Sequence, residues 1–347
     1  MRGLVICAVL ILLSVSVNTQ RSVRTLDADN KLFIITLDGF RWEELYKGAD
    51  SSLIHDPEAT GDTALAKALY WADDEAGRRK KLMPFFWNVV NRQGQLFGNR
   101  TFGNKVNVSN PYALSYPGYS ELLTGSVDYS IHSNDKITNH NKNILEALNS
   151  SPAYAGKVAA FTSWDVFPYI LNKERSGLMI NSGLQNISGQ LSSAESLINT
   201  VQTEVLAEHG ATRYDELTYI ACKEYLVKKK PSIVFLSFSG TDDAGHSKRY
   251  DQYLQEANNA DRMIGELWRY VQGDPAYAGK TTFLITTDHG RGASPSNWHK
   301  HGLLVSGSSQ TWFALMGRSV VPLGEVKAKG QVYQKDLKDL VNELLAQ

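Results

Sequence analysis

The sequence predicts an α/β fold: a sandwich with helices on both faces of a mostly parallel central sheet. Short apolar runs rich in Ile, Val, Phe and Thr recur along the chain, most of them closed by Gly or Asp. Longer stretches with apolar residues at helical spacing alternate with these runs. Acids and histidines then gather just after three of the runs, where open α/β sheets place their ligand sites.

The first run, KLFIITLDGF (31–40), is continuously apolar rather than alternating, as in a strand buried on both faces. KKLMPFFWNVVNRQG (80–94) has helical spacing and stops at Gly94. ALSYPGYSELLTG (113–125) is a turn punctuated by Pro117 and Gly118, leading into a short apolar run. Ser115 within it is either a nucleophile at the mouth of a helix or an ordinary turn serine. KVAAFTSW (157–164) reads as the next strand, followed by helical patterns over 195–210 and 215–230. The second of these ends in three lysines, which suits a helix C-terminus. PSIVFLSFSG (231–240), TTFLITTDHG (281–290) and TWFALMG (311–317) complete the strands, with a long amphipathic helix over 253–273.

With 347 residues, the chain has room for one large domain or two smaller ones. No repeat, low-complexity tract or linker divides it. A single catalytic domain over 20–347 is expected, with an insertion at roughly 130–230. Lys plus Arg and Asp plus Glu number 36 each, which argues against a general nucleic-acid binder or a polybasic membrane-surface protein. A small-molecule substrate is the better expectation; the balance says nothing about oligomeric state. Arg2 followed by an apolar run from Leu4 to Val17 suits a secretory signal over 1–19 and is short for a membrane span. An exported chain, periplasmic or extracellular, follows. Removal of that segment takes Cys7 and leaves Cys222 alone, so no intrachain disulfide can form.

The strand ends carry the chemistry. Asp38 follows FIITL, Asp242 and His246 follow IVFLSFSGT, and Asp288 with His289 follows FLITT. His299 and His301 lie in NWHKHG, so four of the eight histidines fall in these loops. Carboxylates and imidazoles without cysteine suit zinc or manganese. About six ligands are too many for one tetrahedral ion and enough for two. Two ions can clamp the entering and leaving oxygens of a phosphoryl transfer and activate a serine. That requirement favours Ser115 as the nucleophile, at a helix N-terminus that would welcome an anion.

The ordered set resembles the alkaline phosphatase superfamily. The resemblance implies an alkaline-phosphatase-like α/β/α sandwich with a small cap-like insertion and two divalent ions, most simply zinc. It implies Asp242, His246 and His301 on one ion, with Gly302 favouring His301 over His299. It implies Asp38, Ser115, Asp288 and His289 on the other. SYPGY (115–119) has Tyr119 where sulfatases of the superfamily carry arginine, and Gly118 where the nucleotide pyrophosphatase/phosphodiesterase branch carries asparagine. The segment is more similar to T-x-P-G-H of periplasmic bacterial alkaline phosphatases. NKERSG (172–177) resembles their K-D-R, implying Lys173 and Arg175 as substrate-binding cations, with Asn134 as a further phosphate contact. The expectation is therefore an exported phosphomonoesterase working through a phosphoserine. A phosphodiesterase on the same scaffold is the alternative, ahead of a sulfatase-like hydrolase or a non-catalytic protein binding phosphorylated ligands.

Overall fold

A computed structural model describes residues 26–206, 210, 212–318 and 320–346. The expected signal segment, 1–19, lies outside the described residues. The five apolar runs become β1 (Lys31–Leu37), β4 (Val158–Thr162), β6 (Ile233–Phe238), β7 (Thr281–Thr286) and β9 (Phe313–Gly317). Six further strands are shorter: β2 (Gly94–Phe97), β3 (Asn104–Asn107), β5 (Met179–Ser182), β8 (Gln310–Thr311), β10 (Gly324–Glu325) and β11 (Gly330–Tyr333).

Eight of these strands form the main sheet, in the order β10-β2-β9-β7-β1-β6-β4-β5. From β7 to β5 every pairing is parallel; only β9 runs against its neighbours β7 and β2. A smaller sheet has the order β11-β3-β8. Alternation along β1 explains the two covered faces. Phe33, Ile35 and Leu37 enter one apolar core, with Val234, Leu236, Phe283 and Ile285. Leu32 and Ile34 enter the other, with Ile233, Phe235 and Leu284. Each such side chain, fully buried, contributes about 1.5–3 kcal/mol.

Helix Tyr250–Gly273 covers the first face through Tyr253, Leu254, Ala257, Met263, Ile264 and Leu267. Helix Ser115–Thr124 covers the second, and all ten of its residues are buried. The helix expected over 80–94 is broken. Helix Glu75–Leu82 ends just before Pro84, a π-helical turn follows over Phe86–Val90, and Gly94 already begins β2. The stretch 130–230, expected as an insertion, contributes to the main sheet. It supplies β4 and the edge strand β5, and helix Asp215–Lys229 leads directly into β6. Among the described residues, no helix is long and apolar enough to cross a membrane.

Candidate metal centre

Parallel pairing of β6, β1 and β7 brings their carboxyl ends side by side, with Leu37 level with Phe238 and Thr36 level with Thr286. Asp38 follows β1, and Asp288 and His289 follow β7. Helix Gly240–His246, which opens just after β6, carries Asp242 and His246 one turn apart. Two ligand groups result: Asp38 with Asp288 and His289, and Asp242 with His246 and His301. It is His301 rather than His299 that stands here, its Nε2 3.1 Å from His246 Nε2.

Ser115 is the first residue of helix Ser115–Thr124. Its Oγ donates to Asp38 Oδ1 at 3.3 Å and lies 3.3 Å from His289 Nε2. The loop before it is strained and held. Ala113 sits in the left-handed region at φ 46°, its N–H donating to Asn110 Oδ1 and its carbonyl contacting His301 Nδ1 at 3.0 Å. Buried Glu121 accepts from the N–H groups of Ser109 and Asn110 and from Asn110 Nδ2.

Each candidate ligand carboxylate has one oxygen held by a residue outside the candidate set. Tyr119 donates to Asp38 Oδ2 at 3.0 Å, Gly39 N–H to Asp288 Oδ1 at 3.0 Å, and Arg291 to Asp242 Oδ1. The other oxygens face the histidines: Asp242 Oδ2 is 3.0 Å from His246 Nε2, and Asp288 Oδ2 is 3.5 Å from His289 Nε2. Asp288 Oδ2 is buried without a hydrogen-bond partner, a costly state for a carboxylate oxygen unless a cation takes it. His289 Nδ1 against Gly290 O, and His301 Nδ1 against Ala113 O, leave both Nε2 atoms with lone pairs turned inward. The donor set therefore fits divalent ions.

The electrostatics follow from burial and crowding. Burial, then Asp242, pushes Asp38 up to about 7, and burial with Asp38 raises Asp288 well above the usual range. Burial holds His289 down to about 4; burial and His289 hold His301 down to about 3. Burial also works against charge on Asp242, but Arg291 and the bond from His246 outweigh it and keep that carboxyl well below its usual range. The same bond to Asp242 raises His246.

Of the expected substrate contacts, Asn134 reaches helix Ser115–Thr124, its Oδ1 accepting from Tyr116 N–H at 3.0 Å. Tyr116 also donates to Ile137 O, and chain 136–138 runs into the wall of a cavity of about 490 Å³. Lys136, Asp165, Tyr169, Lys173 and Ser182 line it, with Lys136 paired to Asp165 at 2.6 Å. Arg175 is engaged elsewhere. Its Nε and Nη2 donate to both oxygens of Glu146, and Nη1 and Nη2 to the carbonyls of His140 and Asn141. Reading the sequence missed this partner and also missed Arg291, Tyr119 and Glu121 as site-building residues. Only Arg291 had a signal, its place directly after D-H-G.

The chain matches the model of a family of phosphoester hydrolases. The model of the type I phosphodiesterase / nucleotide pyrophosphatase family matches residues 66–345, and the chain belongs to that family. Six of the seven candidate ligand and nucleophile residues fall inside the match; Asp38 precedes it. No curated protein sequence matches the chain. Solved structures share the fold at low identity. Alkaline phosphatase PafA superposes with a TM-score of 0.57 at 10% identity, over 91% of this chain and 96% of that one. Murine ectonucleotide pyrophosphatase / phosphodiesterase 5 gives 0.55 at 14%, over 91% and 95%. The C-terminal periplasmic domain of EptC from Escherichia coli, solved in complex with zinc, gives 0.54 at 11%, over 93% and 84%.

Proposed function

We propose that this protein hydrolyses phosphate esters in two steps, through a phosphoserine on Ser115, at a site that takes two divalent ions. The observation that carries the reading is the position of Ser115 Oγ, 3.3 Å from both Asp38 Oδ1 and His289 Nε2 at the start of a helix. Asp38, Ser115, Asp288 and His289 would hold one ion, and Asp242, His246 and His301 the other. When bound, the ions supply the charge that lowers the serine pKa and offsets charge on the phosphoryl oxygens. Zinc suits these donors best and manganese second. The binding of zinc by the E. coli neighbour supports that choice.

The chain's own residues do the rest. The Ser115 hydroxyl donates to Asp38 Oδ1, which holds its proton before attack. The serine gives up its hydroxyl proton to solvent, its oxygen bonds to phosphorus and the ester bond breaks, the departing oxygen taking a proton from solvent. Asn134, whose Oδ1 is taken by Tyr116 N–H, keeps its Nδ2 hydrogens for a non-bridging oxygen. Water cleaves the phosphoserine in the second step.

On ester class, the expectation of a monoester rested on two cations. Lys173 stands in the cavity wall, but the Arg175 fork is occupied by Glu146. A single cation matches the single charge of a diester better than the double charge of a monoester. Family membership points the same way. A phosphodiester is therefore the proposed substrate class, with monoesters second. Export to the periplasm or beyond remains part of the proposal, on the apolar run Leu4–Val17.

The test is to load the protein with zinc and compare kcat/KM on bis(p-nitrophenyl) phosphate and p-nitrophenyl phosphate. The diester is expected to be preferred; a monoester preference reverses the substrate class. Ser115→Ala should lower turnover at least about a thousandfold while leaving bound zinc nearly intact. Near-normal activity in that variant removes Ser115 as nucleophile.

A further inference from the structure

We infer that Arg291 is a positioning residue: it holds Asp242 to one free oxygen and ties together the segments that carry the metal ligands. The inference rests on the two-metal reading of the site. Arg291 is 1% exposed, so its donors must find partners inside the protein. Nε donates to Gly39 O at 3.1 Å and Nη1 to His299 O at 2.6 Å. Nη2 donates to Asp242 O at 3.1 Å and to the Asp242 carboxylate at Oδ1.

One planar fork thus reaches three separate segments. The first is the turn after β1, beside Asp38. The second is helix Gly240–His246, which carries Asp242 and His246. The third is the loop that carries His301. Arg291 itself lies two residues beyond His289, so its bonds connect every ligand-bearing segment except that of Ser115. The seat is shaped for a guanidinium. A Cβ on Gly39 would lie 2.9 Å from Arg291 Nε, and one on Gly245 would lie 2.6 Å from Cζ. A lysine ammonium has no fixed fork with which to bridge these acceptors.

The consequence falls on Asp242. With Oδ1 held by Arg291, the carboxylate presents Oδ2 toward His246. Left free, it could grip an ion with both oxygens or turn toward the other ligand group, since Oδ1 is 4.0 Å from His289 Nε2. Arg291 touches neither substrate nor reacting atoms and acts through Asp242.

The experiment is a zinc titration against a chromophoric chelator, using the full chain as wild type, Arg291→Lys and Gly245→Ala. Arg291→Lys keeps the charge and loses the fork. Gly245→Ala keeps the arginine and every ligand but pushes the guanidinium from its seat; as a helical Gly-to-Ala change it carries no propensity cost. In both variants one of the two zinc sites should weaken tenfold or more while the other keeps wild-type affinity. If Arg291→Lys does not fold, Gly245→Ala decides alone. Wild-type affinity at both sites overturns the inference, as does equal weakening of both. A wild-type protein that binds no zinc overturns the two-metal reading itself, which separates the two failures.

Discussion

At the scale of single residues, the pH behaviour of the site follows from which ligands still hold protons in the metal-free protein. His289 and His301 are held down to about 4 and about 3 by burial, so near pH 6 both are neutral and ready to bind. Asp38, pushed up to about 7 by burial and Asp242, is still protonated there, and Asp288 is raised further. His246, raised by its bond to Asp242, also keeps a proton. An ion must displace these protons, so zinc affinity should fall as pH drops below 7, by about tenfold per unit for each proton released. Chelator competition between pH 5.5 and 8 measures this, and constant affinity over pH 5.5–7 would refute it. The candidate ligands stood out in the sequence because acids and histidines gather just after three apolar runs. Those that hold the binders were not. Arg291 works through carbonyls on remote segments, and Arg175 is claimed by Glu146, 29 positions away. Neither relation leaves a local pattern.

At the scale of elements, helix Ser115–Thr124 shows why its turn contains glycine. A Cβ on Gly118 would lie 2.4 Å from Asp288 O, so the helix can approach the turn after β7 only without a side chain there. On an exposed helix, Gly→Ala gains about 1 kcal/mol. Gly118→Ala should instead lower both Tm and turnover, because it forces Ser115 away from the Asp288 turn; a gain in Tm with full activity would contradict this close approach. The same helix carries Tyr119, one turn after Ser115, whose hydroxyl donates to Asp38 Oδ2. The strands divide by length in how plainly they could be read. β1, β4, β6, β7 and β9 are apolar runs of five to seven residues and announce themselves. β3, β8 and β10 are two to four residues with mixed polarity, and their pairing comes from tertiary contact rather than from local preference.

At the scale of the whole molecule, the candidate metal centre draws on both halves of the chain, and ions bound there should be part of the protein's stability. Without them, Asp288 Oδ2 is buried unpartnered beside Asp38. Zinc at a thousandfold excess over its dissociation constant should add about 4 kcal/mol. A thermal melt with and without chelator should therefore differ by several degrees, and identical melts would refute a metal at this site. The sheet order has a further consequence for how the enzyme is made. β1 precedes every other strand of the sheet in chain order, yet it is flanked by β6 and β7, whose pairing with it begins at Ile233 and Thr281. A chain that stops short of Thr281 lacks β7, Asp288, His289 and His301, and so contains neither ligand group complete. A form truncated before Thr281 therefore could not assemble either candidate ligand group, whatever its first six strands had already buried.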